Sequence, residues 1–362
     1  MFHDITVDCP LFDSFRVRQV AGMFDLPLEE KLRERFQVEV PGLDEPWQVG
    51  LIVGPSASGK TSVARRAFGN ALFDGHVWPA DRAVVDCFGD RPIKAVTQIL
   101  AAVGLASPPA WVKPYAALSN GEQFRCNLAQ ALLAARPVVA FDEFTSVVDR
   151  TVARAGAAAV GRAVRRGCPA ERFVAVTCHY DVAEWLEPDW VLDMAQGTLT
   201  RGRLRRPEIR LAVVRCRHTA WRLFARHHYL SGTVNKAAHC YLALWEGEPV
   251  AFCAVLAQPG RQGAWRISRL VVLSDFQGLG IGTRLAAALG DMYRREQRRL
   301  SITTSHPAMI AALRRSPAWH TIGVQKFGFR IQSGARSGVL TGYLKNTSRG
   351  RAVVSFRYAG EE

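Results

Sequence analysis

GPSASGKT, residues 54–61, decides how the first half of this chain folds. The run before it, QVGLIV, reads as a short buried strand, and Thr61 to Phe68 after it has helical composition. A glycine loop between a strand end and a helix start lets main-chain N–H groups converge on an anion. Gly54 and Gly59 bracket the loop, Ser58 lines it, and Lys60, Thr61 and Ser62 open the helix. Lys60 is the expected partner of the β- and γ-phosphates, and Thr61 an expected Mg²⁺ ligand. Downstream, PVVAFDE at 137–143 reads as a second buried strand ending in two carboxylates. Asp142 is expected to complete the metal shell. Glu143 is expected to act as general base on the attacking water, which places it within one water of the target.

Three further motifs follow in order: LSNGEQ at 118–123, Asp149, and His179 at the end of FVAVTCH. Together with the loop and the paired carboxylates they resemble the ABC ATPases, across roughly residues 12–200. The resemblance implies ATP and Mg²⁺ as ligands and His179 as the residue that senses the γ-phosphate. It also implies an ATP-dependent homodimer, in which Ser119 and Gly121 face Lys60 of the partner subunit. Two departures stand out. Asn120 occupies a position where the family most often has glycine, and the stretch between Thr61 and Leu118 is shorter than in transporter ATPases. The shortening argues against docking onto a membrane domain. No Q-loop glutamine is evident, since Gln98 falls within the apparent helix IKAVTQILAAVGL. Phe24 and Phe36 are candidates for stacking on adenine, although aromatic residues are more often core.

Composition fits a cytoplasmic, non-transport role. No run reaches the ~18 uninterrupted apolar residues that suggest a membrane helix. MFHDITVDCP does not read as a signal peptide. The eight cysteines form no C-x-x-C pair, which argues against a zinc site or a disulfide framework. A length of 362 residues suits two domains, and QGTLTRGRLRRPE marks the expected boundary. The expected division is 1–206 and 207–362. Residues 207–362 hold 23 Lys and Arg against 8 Asp and Glu, whereas residues 1–206 hold 24 of each, so the whole +15 lies in the second half. Charge confined to one domain points to a polyanionic partner of that domain, with nucleic acid the leading expectation.

The second half has its own glycine loop. ISRLVVL reads as a strand, QGLGIG at 277–282 as the turn, and Thr283–Arg299 as an amphipathic helix. Gln277, Gly280 and Gly282 match the Q/R-x-x-G-x-G/A motif and resemble the GNAT acetyltransferase superfamily. The order of elements supports the resemblance: a helical start at Arg222–His228, a hairpin turning at Glu246-Gly247-Glu248, the motif strand and helix, and then the strand Leu300–Thr304. A short helix Pro307–Arg314, QKFGF and a last strand RAVVSFRYA complete it. The resemblance implies acetyl-CoA, or another acyl-CoA, as donor. Its pyrophosphate would lie on Gln277, Gly278, Gly280, Gly282 and Thr283, and its pantetheine arm along Arg269–Val272, including Val271 and Val272. The expected fold class is thus α/β: a P-loop ABC-type ATPase domain followed by a mixed α/β GNAT acyltransferase domain.

Direct acyl transfer needs a base for the amine and an acid for the departing thiolate. His228 or His306 is the expected proton carrier and Tyr229 the expected acid. Arg294, Arg295, Arg298, Arg299, Arg314 and Arg315 could track phosphates. Trp319, His320 and Phe327 could stack on an exposed base, although core packing is the commoner use of such residues. The chain as a whole resembles bacterial and phage fusions of an ABC-type ATPase with an acetyltransferase. HHYLSGTVNKAAH and SRLVV are loosely similar to the DNA-modifying Mom type. The leading expectation is acyl transfer to an amine of DNA or RNA, with ATP turnover remodelling the substrate. The alternatives are an ATP-switched clamp with a non-catalytic acetyltransferase-like half, and an enzyme acetylating a protein or small amine.

Overall fold

The structure, a computed structural model, describes residues 2–8, 12–27, 33–134, 136–228, 233–326 and 352–360. The chain divides into two compact units. The first comprises Met1–Val77 and Cys126–Pro207, and the second Trp78–Arg125 and Glu208–Glu362. One break falls between Pro207 and Glu208, within the basic connection. The segment Trp78–Arg125, which the sequence assigns to the first domain, groups with the second.

The first unit is built on a six-stranded sheet of order β4-β5-β6-β3-β7-β8. Its strands are β3 (Val49–Val53), β4 (Leu72–Phe73), β5 (Val139–Phe141), β6 (Phe173–Thr177), β7 (Trp190–Asp193) and β8 (Thr198–Arg201). All pairings are parallel except β7 with β8. Every residue of β3, β5 and β6 is buried. Parallel strands covered on both faces read as unbroken apolar runs, which is why VGLIV and FVAVT do not alternate. An antiparallel pair, β1 (Phe2–Asp8) with β2 (Arg33–Glu39), lies outside this sheet. Between them runs α1 (Phe15–Phe24), none of whose residues is buried. Helix α2 (Lys60–Phe68) follows the glycine loop. Trp190 of β7 packs edge-on to Trp47, with ring centroids 5.4 Å apart. Its ring lies across Gly50, where an added Cβ would stand 2.1 Å from Cζ2. Asp189 ties the strand starts together by accepting the N–H groups of Gln48 and Val49 at 2.8 and 2.9 Å.

The second unit carries a seven-stranded sheet of order β14-β15-β13-β12-β11-β10-β9. Its strands are β9 (Leu211–Cys216), β10 (His239–Trp245), β11 (Glu248–Ala257), β12 (Ala264–Val272), β13 (Arg299–Thr304), β14 (Trp319–Lys326) and β15 (Ala352–Tyr358). The β10–β11 hairpin turns at Glu246 and Gly247, both at positive φ, the backbone that matches the twist of a two-residue hairpin. Only β12 and β13 pair in parallel. Three long helices belong mainly to this unit: α3 (Ile93–Ala102), α6 (Ile281–Arg295) and α7 (Pro307–Arg315). Of the other two, α4 (Asn120–Leu133) contains the break between Arg125 and Cys126, and α5 (Arg150–Arg165) belongs to the first unit. Trp221, Phe224, Cys240, Phe252 and Val271 form a core on one face of the sheet. The buried Leu285, Leu289 and Tyr293 come from α6. Within Trp78–Arg125, Trp78 stacks on Tyr115 at 4.7 Å and draws the two ends of the segment together.

The Gly50–Trp190 contact yields a stability prediction. Gly50→Ala forces a methyl into an occupied aromatic plane, and overpacking of this kind costs about 1–3 kcal/mol. The unfolding free energy of the variant is expected to fall by that amount, seen as a lower urea midpoint with an unchanged slope. A midpoint equal to that of the parent protein would show that Trp190 repacks freely.

Candidate functional sites

In the first unit, the glycine loop leaves the end of β3 with Ala57 at φ 64° and Gly59 at φ 78°. A Cβ on Gly54 would stand 2.8 Å from Ser58 Oγ, and one on Gly59 would stand 2.5 Å from the Phe36 ring. The Ser58 hydroxyl is buried with no hydrogen-bond partner among the described residues, a polar group that a bound anion would satisfy. Lys60 is buried, and its Nζ donates to the Pro55 carbonyl across the loop at 2.5 Å. Thr61 Oγ1 donates to Asp142 Oδ1 at 3.2 Å, so the two expected Mg²⁺ ligands meet although they are 81 residues apart. No group of three or more His, Cys, Asp or Glu poised for a metal occurs among the described residues. The pair offers one hydroxyl and one carboxylate oxygen, donors of the kind a hard cation such as Mg²⁺ takes. Ser62 follows on the first turn of α2.

Glu143 is exposed, at φ 49°, and its Oε2 accepts from Ser146 at 2.5 Å. Thr145 is also held at positive φ, 71°, and its hydroxyl contacts His179 Nδ1 at 3.2 Å. Two non-glycine residues at positive φ within three positions after β5 mark a loop held in a costly conformation. Burial, reinforced by Arg150, holds the His179 imidazole below its ordinary value and favours the neutral ring. Asp149 caps α5, accepting from Thr151 and Val152 at 2.9 and 3.0 Å, a contribution of about 1 kcal/mol. Of the two stacking candidates, Phe24 is exposed on α1 and Phe36 lies against Gly59 and the core. Gln98 is exposed on α3 in the second unit. The sequence reading missed the neighbourhood of β4. That strand pairs in parallel with β5, Phe73 beside Phe141, so Asp74 and His76 leave the sheet at the end where Asp142 sits. His76 contacts Gln130 at 3.3 Å. A two-residue strand carries too little pattern to be read from sequence.

In the second unit, β12 and β13 pair only from Ala264–Ile267 with Arg299–Ile302. Beyond that point β12 continues to Val272 without this partner, while Thr303 and Thr304 pair with β15. A bulge helps to part the strands: Ala254 faces Arg269 and Val255 faces Ile267, which leaves Ser268 as the extra residue. Its hydroxyl donates to the Ala254 carbonyl at 3.0 Å. The stretch Arg269–Val272 thus has one edge free of β13 and leads directly into the glycine loop. Gly278 and Gly280 stand at φ 88° and 81°, and Gly280 is the N-cap of α6. No side chain caps this helix start, and its first turn holds no acidic residue. Uncapped N–H groups at the positive end of a helix favour an anion. Gly282 packs on Val272, Thr283 Oγ1 donates to the Gly280 carbonyl at 2.9 Å, and Val271 is buried in the core. Gln277 is buried, and its side chain binds protein at both ends: Oε1 accepts from Ala106 N–H at 2.8 Å and Nε2 donates to the Val272 carbonyl at 3.0 Å.

The expected proton carriers differ in setting. His306 caps α7, its Nδ1 accepting from Met309 N–H at 3.4 Å, while Nε2 meets the Ala106 carbonyl at 2.7 Å. One neutral tautomer, protonated on Nε2, satisfies both contacts. Burial keeps this imidazole below its ordinary pKa. His228 lies edge-on to Trp221, ring centroids 5.6 Å apart. Tyr229 lies outside the described residues. A polar chain absent from the sequence reading runs beneath α6. Arg215 donates to Tyr241 at 2.8 Å, Tyr241 meets Tyr293 at 3.3 Å, and Tyr293 meets His239 at 2.9 Å. Val213, Arg215, Tyr241, Met292 and Glu296 line a cavity of about 320 Å³ there.

Arg294 and Arg295 end α6, roughly 20 Å from Gly280 at ~1.5 Å per residue. Arg298 pairs with Glu296 at 2.8 Å and lies over Trp265, whereas Arg294, Arg295, Arg299, Arg314 and Arg315 are exposed. The Trp319 candidacy for base stacking is corrected. This residue is buried against Tyr358, ring centroids 5.1 Å apart, because β14 turns it inward. His320, the next residue, is exposed, and Phe327 lies outside the described residues.

The profile of the acetyltransferase (GNAT) family matches residues 203–315, so the chain carries a GNAT acetyltransferase domain there. No curated protein matches the chain. Among solved structures it is similar to the IAA acetyltransferase from Bacillus cereus ATCC 14579, at 14% identity and a TM-score of 0.30, over 41% of this chain and 99% of that one. The ribosomal-protein-S18-alanine N-acetyltransferase from Escherichia coli is similar at 15% identity and a TM-score of 0.31, over 42% and 98%. The ATP-binding cassette MJ0796, in a dimeric post-hydrolysis state bound to ADP and Pi, is similar at 15% identity and a TM-score of 0.37, over 46% and 92%. No helix among the described residues is long and apolar enough to cross a membrane.

The buried His306 gives a pH prediction. Its folded-state pKa lies below the ordinary 6.5, so the unfolded chain takes up the proton first as pH falls. Its contribution to stability is complete above pH 6.5 and is lost as pH drops below that value towards the folded-state pKa. In His306→Asn, the loss of unfolding free energy between pH 7.5 and 5.5, measured by urea titration, is expected to be smaller than in the parent. An equal loss would assign the pH dependence to other groups.

Proposed function

We propose that the chain binds and hydrolyses ATP and transfers an acyl group from acyl-CoA to an amine of a nucleic acid, DNA or RNA. The observation that carries this reading is a glycine loop at positive φ leading into a helix start without a capping side chain in each unit, with the excess positive charge confined to residues 207–362. Lys60 and the N–H groups of residues 54–61 would hold the ATP phosphates, and Thr61 and Asp142 the Mg²⁺. When bound, that ion neutralises phosphate charge. Glu143 would take a proton from the attacking water, with His179 beside it. Ser119 and Gly121 would cap the nucleotide held by a second copy, which makes the active ATPase a homodimer.

The N–H groups of Gln277–Gly282 would hold the donor pyrophosphate, and the free edge of Arg269–Val272 its pantetheine arm. Transfer requires that the amine lose a proton, its nitrogen bond to the thioester carbon, and the departing thiolate take a proton up. His228 is the candidate for the first proton and Tyr229 for the last. The engagement of both His306 nitrogens supports a positioning role for that residue. The same engagement favours a second reading, in which the acetyltransferase-like half binds acyl-CoA without turnover. Release of free thiol from acetyl-CoA in the presence of duplex or single-stranded nucleic acid separates the two readings.

Three measurements test the proposal on the full chain. Glu143→Gln should retain ATP and form a dimer at saturating Mg-ATP; a monomer by light scattering contradicts the ATPase reading. Gly280→Val places a Cβ where φ is 81° and the backbone must approach the pyrophosphate. Acetyl-CoA binding should be lost while ATP hydrolysis persists, and an unchanged calorimetric affinity excludes this loop as the donor site. If about six phosphates are contacted, nucleic-acid affinity should fall about 10³-fold between roughly 50 and 200 mM salt. Removing the charges of Arg294, Arg295, Arg298 and Arg299 should flatten that slope. A protein that shifts neither form of nucleic acid at low salt directs the search to a protein or small-molecule acceptor.

A further inference from the structure

Within the second unit, the segment LSNGEQ and the glycine loop QGLG meet through one side chain. Arg125, on the same helix as Gly121, is completely buried. Its Nη1 donates to the Gly121 carbonyl and its Nη2 to the carbonyl of Asp275, 150 residues away, each at 3.3 Å. Asp275 sits in the single turn Ser274–Phe276 that delivers the chain to Gln277. The main chain of Ala106 closes the same junction from the other side. Its N–H is held by Gln277 at 2.8 Å and its carbonyl by His306 at 2.7 Å. Ser107 Oγ adds a bond to the His227 carbonyl at 3.2 Å, and α3 packs against α7. There is no slack between these parts. A Cβ on Gly104 would stand 2.8 Å from the Gln277 carbonyl and 3.2 Å from Arg125 Nε.

A guanidinium is a rigid planar fork, so its two ends cannot adjust independently. These two bonds lie at the long end of the hydrogen-bonding range, where a small displacement makes or breaks them. A close-packed junction transmits such a displacement instead of absorbing it. We propose that Arg125 is a positioning residue that couples the signature segment to the acyl-donor loop, so that ATP in the dimer changes the affinity of the second unit for coenzyme A. The proposal rests on the ATP and acyl-CoA reading given above. Gly121 changes position when it closes on a nucleotide, Arg125 carries the change to Asp275, and the N–H groups of the following loop are realigned. Coupling of this kind is reciprocal: coenzyme A changes ATP affinity by the same factor.

The test uses the full chain carrying Glu143→Gln, so that bound ATP persists. The dissociation constant of coenzyme A is measured by calorimetry with and without saturating Mg-ATP. The ratio of the two values is expected to differ from one by about fivefold or more, the usual lower bound for such coupling. The ATP constant, measured with and without coenzyme A, should shift by the same factor. Adding Arg125→Met keeps the buried volume and removes both bonds. The ratio should then fall to about one, while nucleotide-free affinity and ATP-dependent dimerisation stay within twofold. Gly104→Ala, which presses the same junction from the other side, should also reduce the ratio and answers the question if Arg125→Met does not fold. If both ligands bind the starting protein but the ratio is one, or if it survives both variants, the coupling is overturned while the two-site reading stands. If either ligand fails to bind at all, the two-site reading falls and takes the coupling with it.

Discussion

An anion site made of main-chain N–H groups demands that those groups go unused by the protein itself. Both units carry the same arrangement, a strand, a turn at positive φ, and a helix that begins without a capping side chain; β3 is fully buried, whereas most of β12 is half-buried. Unpaired donors are costly unless something holds them in place. The surrounding structure supplies the rigidity: β3 is fully buried among parallel neighbours, and β12 is stitched to β11 along most of its length. Loop chemistry thus dictates where glycine must stand and where acids must not. Gly59 and Gly280, the residues that open α2 and α6, both adopt the left-handed backbone.

That local demand explains what could be read from the sequence. The residues that form each loop are contiguous, so their spacing carries the geometry. The meeting of Thr61 with Asp142 was legible for a related reason, because each follows a buried strand announced by an apolar run, Thr61 on the first turn of α2 beyond β3 and Asp142 directly after β5. The Glu246-Gly247 turn was legible because two consecutive positive φ angles favour few residue types. The segment Trp78–Arg125 was not legible. Part of its attachment to the second unit runs through the N–H and carbonyl of Ala106, groups that every residue except proline offers in full. Gly104 gave the only hint, and a lone glycine in an apolar run has many explanations. The chain of Arg215, Tyr241, Tyr293 and His239 was missed because its members are distant in sequence and each reads as an ordinary strand or helix residue.

His306 shows how position and role can part. It stands directly after a strand end, where ligand-binding residues concentrate, and the sequence supports a proton carrier there. The fold gives both of its nitrogens to structure: one caps α7 and the other holds Ala106. Trp319 makes the same point for stacking. An exposed base needs an exposed ring, and on β14 His320 is exposed while Trp319 is buried.

The division of the chain has a genetic consequence. Each unit is assembled from two separate stretches, and the stretches alternate: first, second, first, second. A gene fusion joined end to end would leave each partner continuous and could be undone by one cut. Here a single break near residue 207 would leave the first unit whole but carrying Trp78–Arg125, and would release the second unit without that segment. The two halves can therefore be exchanged or inherited separately only if that inner segment travels with its unit.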